Sequence, residues 1–187
     1  MGILRVKATL TNIKPAIWRR IELSDETTLK QFHRILQIAF GWQDYHLHEF
    51  ISGKVRFGVA DPDGLGDGVI PEGRVRIAEL LQYPKAQLLY LYDFGDDWYH
   101  TILLEAVIEA EAGVEYPRVA DGARNSPPED CGGPYGYQEL LDALTDPAHP
   151  LFEELREWVG PNFQSEAFSL VDVNKRLRKN RSLAVKR

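Results

Sequence analysis

Residues 28–41 constrain this chain most. Thr28 and Gln31 have the spacing of a capping box, and Gly41 stands where a helix stops. Between them Leu29, Phe32, Ile35, Leu36, Ala39 and Phe40 share one face at helical spacing. A stripe that apolar has to be covered, and the flanking segments read as the strands that cover it. Ile3, Leu4, Val6, Ala8 and Leu10 pattern as one strand, residues 11–15 as a turn, and residues 17–23 as a second strand, so the chain opens with a hairpin. After the helix, residues 46–51 and 55–57 read as two short strands about Gly53, and residues 75–81 as a short helix. Residues 88–93 and 98–108 form a second hairpin across Gly95-Asp96-Asp97. Residues 111–136 are loop-rich, with Pro117, Pro127, Pro128 and Pro134, and helices are expected over 137–144, 151–159 and about 166–178.

This order predicts an α+β fold: a β-grasp-like mixed sheet crossed by one long helix, with an added hairpin strand and C-terminal helices. With 187 residues and 44% hydrophobic content, one domain is expected over 1–178. Residues 1–110 supply its sheet and helix core, 111–178 a loop and helical extension, and 179–187 a basic flexible tail. A chain this long hides roughly two-thirds of its unfolded surface and needs no disulfide staple. The single cysteine, Cys131, excludes an internal disulfide and a multi-cysteine zinc site. The first residues lack a secretory apolar stretch, and no apolar run approaches the ~20 residues that span a bilayer. The expectation is a soluble, cytoplasmic protein without a membrane partner.

Net charge is −6, from 22 basic and 28 acidic residues. Seven of the basic residues lie in 175–187, where no acid stands, leaving 15 basic against 28 acidic elsewhere, a body charge of −13. Such a body repels a phosphate backbone, so nucleic acid is an expected partner only through the basic tail.

Four constellations could carry chemistry. The first is His46-x-His48: on a strand, residues two apart face one side, so both imidazoles would project together, as in many metal sites. A half-exposed strand that happens to hold two histidines is the plainer alternative. The second is Asp93-Phe94-Gly95-Asp96-Asp97-Trp98-Tyr99-His100, in which Asp93 ends one strand and His100 begins the next. A carboxylate beside that imidazole would orient it, although Asp and Gly are also what a hairpin turn requires. The third is Ser126-Pro127-Pro128-Glu129-Asp130-Cys131-Gly132-Gly133-Pro134-Tyr135-Gly136-Tyr137, where prolines and glycines make a rigid scaffold for Glu129, Asp130 and Cys131. The fourth is the acidic loop 61–72, which matches a calcium loop at its first, third, sixth and twelfth positions and fails at the fifth, Leu65. Serine nucleophile elbows and phosphate-binding glycine loops are absent.

Several of these segments together resemble one family, the plasmid pRiA4b open-reading-frame-3-like proteins. They are Ile17-Trp18-Arg19-Arg20, Gly41-Trp42 leading into His46-Leu47-His48-Glu49-Phe50, the stretch from Tyr92 to His100, and Pro127-Pro128-Glu129-Asp130-Cys131-Gly132-Gly133 with Gly136-Tyr137; the late Val173-Asn174 fits as well. The resemblance runs from about residue 3 to 178. It implies an α+β fold and a passenger of plasmids or insertion elements, and it carries no assigned activity or catalytic residue. Relatives look to have a cysteine just before the Pro-Pro pair; Ser126 stands there here, so a two-cysteine metal or redox site is not expected.

Three functions follow as expectations. The leading one is a non-catalytic module that binds a protein or small ligand. The second is a metal-dependent hydrolase or nuclease, with a divalent metal held by His46, His48, His100 or Glu129. The third is a DNA-associated accessory protein of a mobile element. One shared concave site is expected from His46, His48, Asp93, Asp96, Asp97, Trp98, His100, Glu129, Asp130, Cys131 and Tyr135.

Overall fold

The computed structural model describes residues 2–59 and 68–183. Its eight strands are β1 (Gly2–Leu10), β2 (Trp18–Ser24), β3 (His48–Ser52), β4 (Val55–Gly58), β5 (Val69–Pro71), β6 (Gln87–Tyr92), β7 (Trp98–Glu109) and β8 (Arg118–Ala123). Five helices accompany them: α1 (Leu29–Phe40), α2 (Ile77–Leu80), α3 (Gly133–Thr145), α4 (Phe152–Val159) and α5 (Leu170–Lys179). The strands form one mixed sheet in the order β5-β4-β3-β6-β7-β1-β2-β8, in which only β4 and β5 run parallel. The fold is therefore α+β, as the alternation of patterns implies. No helix among the described residues is long and apolar enough to cross a membrane.

Helix α1 starts and stops where its sequence signals stand. Thr28 Oγ1 accepts from the Gln31 backbone N–H, the Gln31 side chain accepts from the Thr28 N–H, and Gly41 closes the helix at φ 81°. Its apolar stripe lies on a row that crosses five strands in register: Leu10, His100, Tyr90, Phe50 and Phe57. Every member of that row is buried. Phe32 stacks on Phe50 at 5.9 Å, and Phe40 meets the His100 ring edge-on at 4.7 Å. Burying Phe32 and its neighbours supplies most of the helix's stability, since an isolated helix of this length is marginal in water.

The sheet is wider than the sequence pattern implies. β5 and β8 fall in segments read as loops: β5 has three residues ending in a proline, and β8 sits in the proline-bearing stretch. The narrower β-grasp-like description extends no further than one helix crossing a mixed sheet, and the central β1–β7 pair is antiparallel. β8 is the outer strand beside β2, and α5 packs along it. There Asn174 accepts the Val119 N–H at 2.9 Å and donates to the Val119 carbonyl at 2.8 Å. The basic residues Lys175, Arg176, Arg178 and Lys179 belong to α5, and a short 3₁₀ turn, Arg181–Leu183, follows. Leu183 is 5% exposed and joins the core, an anchor within the segment expected to be a flexible tail. Residues 184–187, and most of the acidic loop read as a partial calcium site, lie outside the described residues.

Candidate functional site

The three equipped segments do meet, but only some of their side chains do. β3 begins at His48, so His46 precedes the strand and the two imidazoles part company. His48 faces α1, in register beside Tyr92. Its Nε2 lies 2.8 Å from Glu72 Oε2, and its ring stacks on His33 with centroids 3.4 Å apart and planes 4° from parallel. The expectation that His46 and His48 project together is therefore corrected. The alternation rule applies only within a strand, and this strand starts too late.

His33 and its partners form a closed ring of hydrogen bonds. Gln37 Nε2 donates to the Tyr90 hydroxyl at 3.0 Å, and that hydroxyl lies 2.7 Å from His33 Nδ1. His33 Nε2 lies 2.8 Å from Asp44 Oδ1, and the Asp44 N–H donates to Gln37 Oε1 at 3.1 Å. One tautomer satisfies all four groups: the hydroxyl donates to Nδ1, and Nε2–H donates to the carboxylate. Burial, then the neighbouring His48, pushes the His33 imidazole down to about 4, so the neutral form is the one held.

His46 goes the other way. Its Nε2 lies 2.9 Å from Asp130 Oδ1 and 3.6 Å from Asp93 Oδ2, yet neither oxygen is aligned for a hydrogen bond, and the nitrogen is shielded from solvent. The backbone brings Asp93 here, because its N–H donates to the Leu47 carbonyl at 2.9 Å. Asp93 Oδ1 then accepts from Gly95 N and Asp96 N, the capping of its own turn, which leaves Oδ2 towards His46. Asp93 and Asp130 both hold φ 59°, a conformation that aspartate tolerates better than most residues.

The 127–133 loop is fastened to this corner by its other groups. Glu129 Oε1 accepts the Tyr92 hydroxyl, Oε2 accepts the Gln43 N–H at 3.0 Å, and the Pro127 carbonyl accepts from Trp42 Nε1 at 2.9 Å. Asp96 Oδ2 accepts the Gly132 N–H at 3.1 Å. A Cβ on Gly133 would overlap the Asp96 carbonyl, and one on Gly136 would overlap the Cys131 carbonyl, so both glycines are required by close approach.

The remaining expected members stand apart. His100 is fully buried under Phe40 and Trp42; its Nδ1 faces the Trp98 carbonyl at 3.0 Å, its Nε2 has no partner, and burial pushes it down to about 3. It is a neutral core residue. Trp98 is buried beside it, Asp97 occupies the exposed turn, and Tyr135 is 91% exposed. Burial, then the charge of Asp96, pushes the Cys131 thiol up to about 12, which makes it a poor nucleophile.

A cleft of about 1100 Å³ opens beside this corner, between the end of α1, the Pro127–Pro128 loop and α5. Phe40, Trp42, Phe163 and Phe168 give it apolar walls, and Arg19, Lys175, Arg176 and Lys179 line it together with the carboxylates of Glu129, Asp130 and Asp172. Arg19 is 2% exposed. It donates to the carbonyls of Ala39, Trp18 and Ala123 and to Ser126 Oγ, and it stacks on Phe168 at 4.2 Å. No carboxylate among the described residues pairs with Arg19 or Arg176. Burial, then the like charge of Arg176, pulls Arg19 down to about 10.

The sequence did not mark His33, Asp44, Arg19 and Arg176 as site material, and it marked Glu72 only as the twelfth position of the partial calcium loop. A signal existed for the first: His33 and Gln37 stand four apart on a helix flank that borders the apolar stripe. Arg19 stood only within the Ile17-Trp18-Arg19-Arg20 segment of the family resemblance, because an arginine on a hairpin strand otherwise reads as surface.

Comparison with known proteins places residues 2–172 within the model of the plasmid pRiA4b ORF-3-like protein family. The chain is 40% identical over 176 residues to the uncharacterized protein y4hQ of Sinorhizobium fredii, covering 93% of this chain and 90% of that one. It is also similar to the crystal structure of a protein of unknown function, MM3350, from Methanosarcina mazei Go1. The TM-score there is 0.83 at 34% identity, over 91% of this chain and 97% of the other.

Proposed function

Starting from a chain that belongs to the plasmid pRiA4b ORF-3-like family, we propose that it is a non-catalytic binding module whose cleft takes a small organic anion with an apolar body. The observation that carries this reading is Arg19. A buried guanidinium is normally matched by a carboxylate, because an unpaired charge in the interior costs several kcal/mol. Here only carbonyls and one hydroxyl meet it, and a second cation, Arg176, lines the same cleft. An anion would relieve the buried Arg19, and the exposed Arg176 would join in holding it. Guanidinium groups suit carboxylate, sulfonate or phosphate heads, and the aromatic walls suit an apolar remainder. The volume lies just above the range of roughly 300–1,000 Å³ typical of small-molecule pockets.

The alternative of a metal-dependent hydrolase or nuclease built on His46, His48, His100 and Glu129 has less support, since those four do not face one point. The DNA-associated reading depends on residues 175–187, of which Lys175, Arg176 and Lys179 line the cleft instead of forming a free arm.

The test is a titration at low salt with 1-anilinonaphthalene-8-sulfonate, an anion with an apolar body. Saturable binding that Arg176→Glu weakens at least tenfold, with an unchanged denaturation midpoint, is the expected result. Arg19 is left intact because it also ties β2 to α1. Binding indifferent to Arg176→Glu and to added salt would remove the anion reading.

A further inference from the structure

We propose that His46, Asp93 and Asp130 form a site for one divalent first-row transition ion, with Zn²⁺ the tightest probe. The three side chains come from three separate segments: the loop before β3, the β6–β7 turn and the loop before α3. One ligand atom from each lies within 4.8 Å of the others. This inference is independent of the anion cleft, although Asp130 borders both.

The spacing suits an ion. Ligand atoms ~2.1 Å from a common metal and adjacent to each other stand about 3.0–3.4 Å apart, depending on octahedral or tetrahedral geometry. The observed 2.9 and 3.6 Å from His46 Nε2 bracket that range. The misalignment fits too. A metal on the ring axis holds each neighbouring oxygen well off that axis, so a metal-binding imidazole makes no hydrogen bond to its fellow ligands. His46 Nε2 lies among two carboxylates, shielded from solvent, and bonds to neither. A simple ion pair would turn the N–H towards one of them.

Charge points the same way. Asp93 is mostly buried, and it and Asp130 converge with only an imidazole between them. Two carboxylates at such a distance repel unless a proton or cation joins them. Asp93 is also braced from behind: its second oxygen is tied to Gly95 N and Asp96 N, which fixes the ligating oxygen as a supporting shell does in metal sites. Asp130, with 65% of its side chain exposed, leaves a side for water or a further ligand. One nitrogen and two oxygens favour zinc or manganese over magnesium, which prefers oxygen alone.

The other imidazole cluster, His33, Asp44 and His48, is as close-set but does not fit an ion. A metal lies in the plane of each imidazole that binds it. The His33 and His48 rings are stacked 3.4 Å apart and 4° from parallel, so an ion between them would sit far out of both planes. Three of their four nitrogens are already engaged, with Tyr90, Asp44 and Glu72.

The experiment is calorimetric titration of the full chain, prepared without metal resin and stripped with chelator, using ZnCl₂ and, in parallel, MgCl₂. One equivalent of Zn²⁺ should bind in the micromolar range or tighter, and Mg²⁺ should give no competing heat. Asp130→Asn should weaken Zn²⁺ binding about tenfold or more, because an amide oxygen is a poorer, uncharged ligand. His46→Gln should do the same, and His33→Gln should leave it unchanged. If His46→Gln proves unstable, Asp130→Asn decides, since that carboxylate is exposed. Mn²⁺ broadening of the His46 ring signals in NMR, abolished by Asp130→Asn, gives a second readout. Zn²⁺ binding that survives both Asp130→Asn and His46→Gln overturns the site, as does the absence of stoichiometric binding at millimolar Zn²⁺.

Discussion

Two clusters of imidazole and carboxylate sit on either side of the start of β3. In the cluster under α1, His33, His48, Asp44 and Glu72 join Tyr90 and Gln37 in a network where both His33 nitrogens and His48 Nε2 have partners. In the cluster at the sheet corner, His46 stands between Asp93 and Asp130 with its Nε2 bonded to neither. His46 and His48 are two residues apart in the chain, so composition does not separate them. Connectivity does: a polar cluster whose bonds close on themselves specifies packing, whereas one left open has affinity to spare for something else.

The comparison predicts a large asymmetry in stability. His48→Ala should cost about 3–5 kcal/mol in urea denaturation, because it strands the buried Glu72 carboxyl and removes the ring beneath His33. An unchanged midpoint would mean that the closed cluster is not structural, and the contrast would collapse.

Acid should attack the closed cluster and the core. His33 is held near 4 and His100 near 3, both below the value of about 6.5 for an unfolded histidine. The unfolded chain therefore takes up protons first as pH falls. Stability from these groups is complete above about pH 6.5 and is lost as pH drops towards 4 for His33 and 3 for His100, by up to about 1.4 kcal/mol per pH unit for each group. Denaturation midpoints measured from pH 7 to 4.5 should decline, and His33→Gln should flatten that decline. A slope untouched by His33→Gln would place the acid sensitivity elsewhere.

The smallest effect belongs to the open cluster. In metal-free protein Asp130→Asn should shift stability by less than about 0.5 kcal/mol, or raise it slightly, since it removes an exposed charge that faces Asp93. A loss comparable to that of His48→Ala would make the corner a clasp of the same kind as its neighbour.

Much of this was legible in the sequence, and the part that was not has identifiable causes. Helix α1 and the β6–β7 hairpin carry their own start, stop and turn signals, so local chemistry was enough. β8 and β5 carry none; β8 is paired because β2 offers an edge, a long-range fact that no local window contains. The convergence of His46, Asp93 and Asp130 followed from three over-equipped segments needing partners. The departure of His48 turned on where β3 begins, a boundary that propensity fixes only to within a few residues. His100 read as a site residue because its neighbours are acids, yet the register puts it in the row of Leu10 and Tyr90 under α1.

The contact of Asn174 with Val119 has a consequence for the behaviour of the molecule in a crowd. An outermost strand offers its unpaired backbone donors and acceptors to any passing chain, which is how sheets recruit neighbours and how fibres begin. The carboxamide of Asn174 takes one donor and one acceptor of Val119 together, as a paired residue of a ninth strand would. A single side chain thus imitates an incoming polypeptide at the place where one would dock, and α5 covers the β8 edge there without adding a strand of its own.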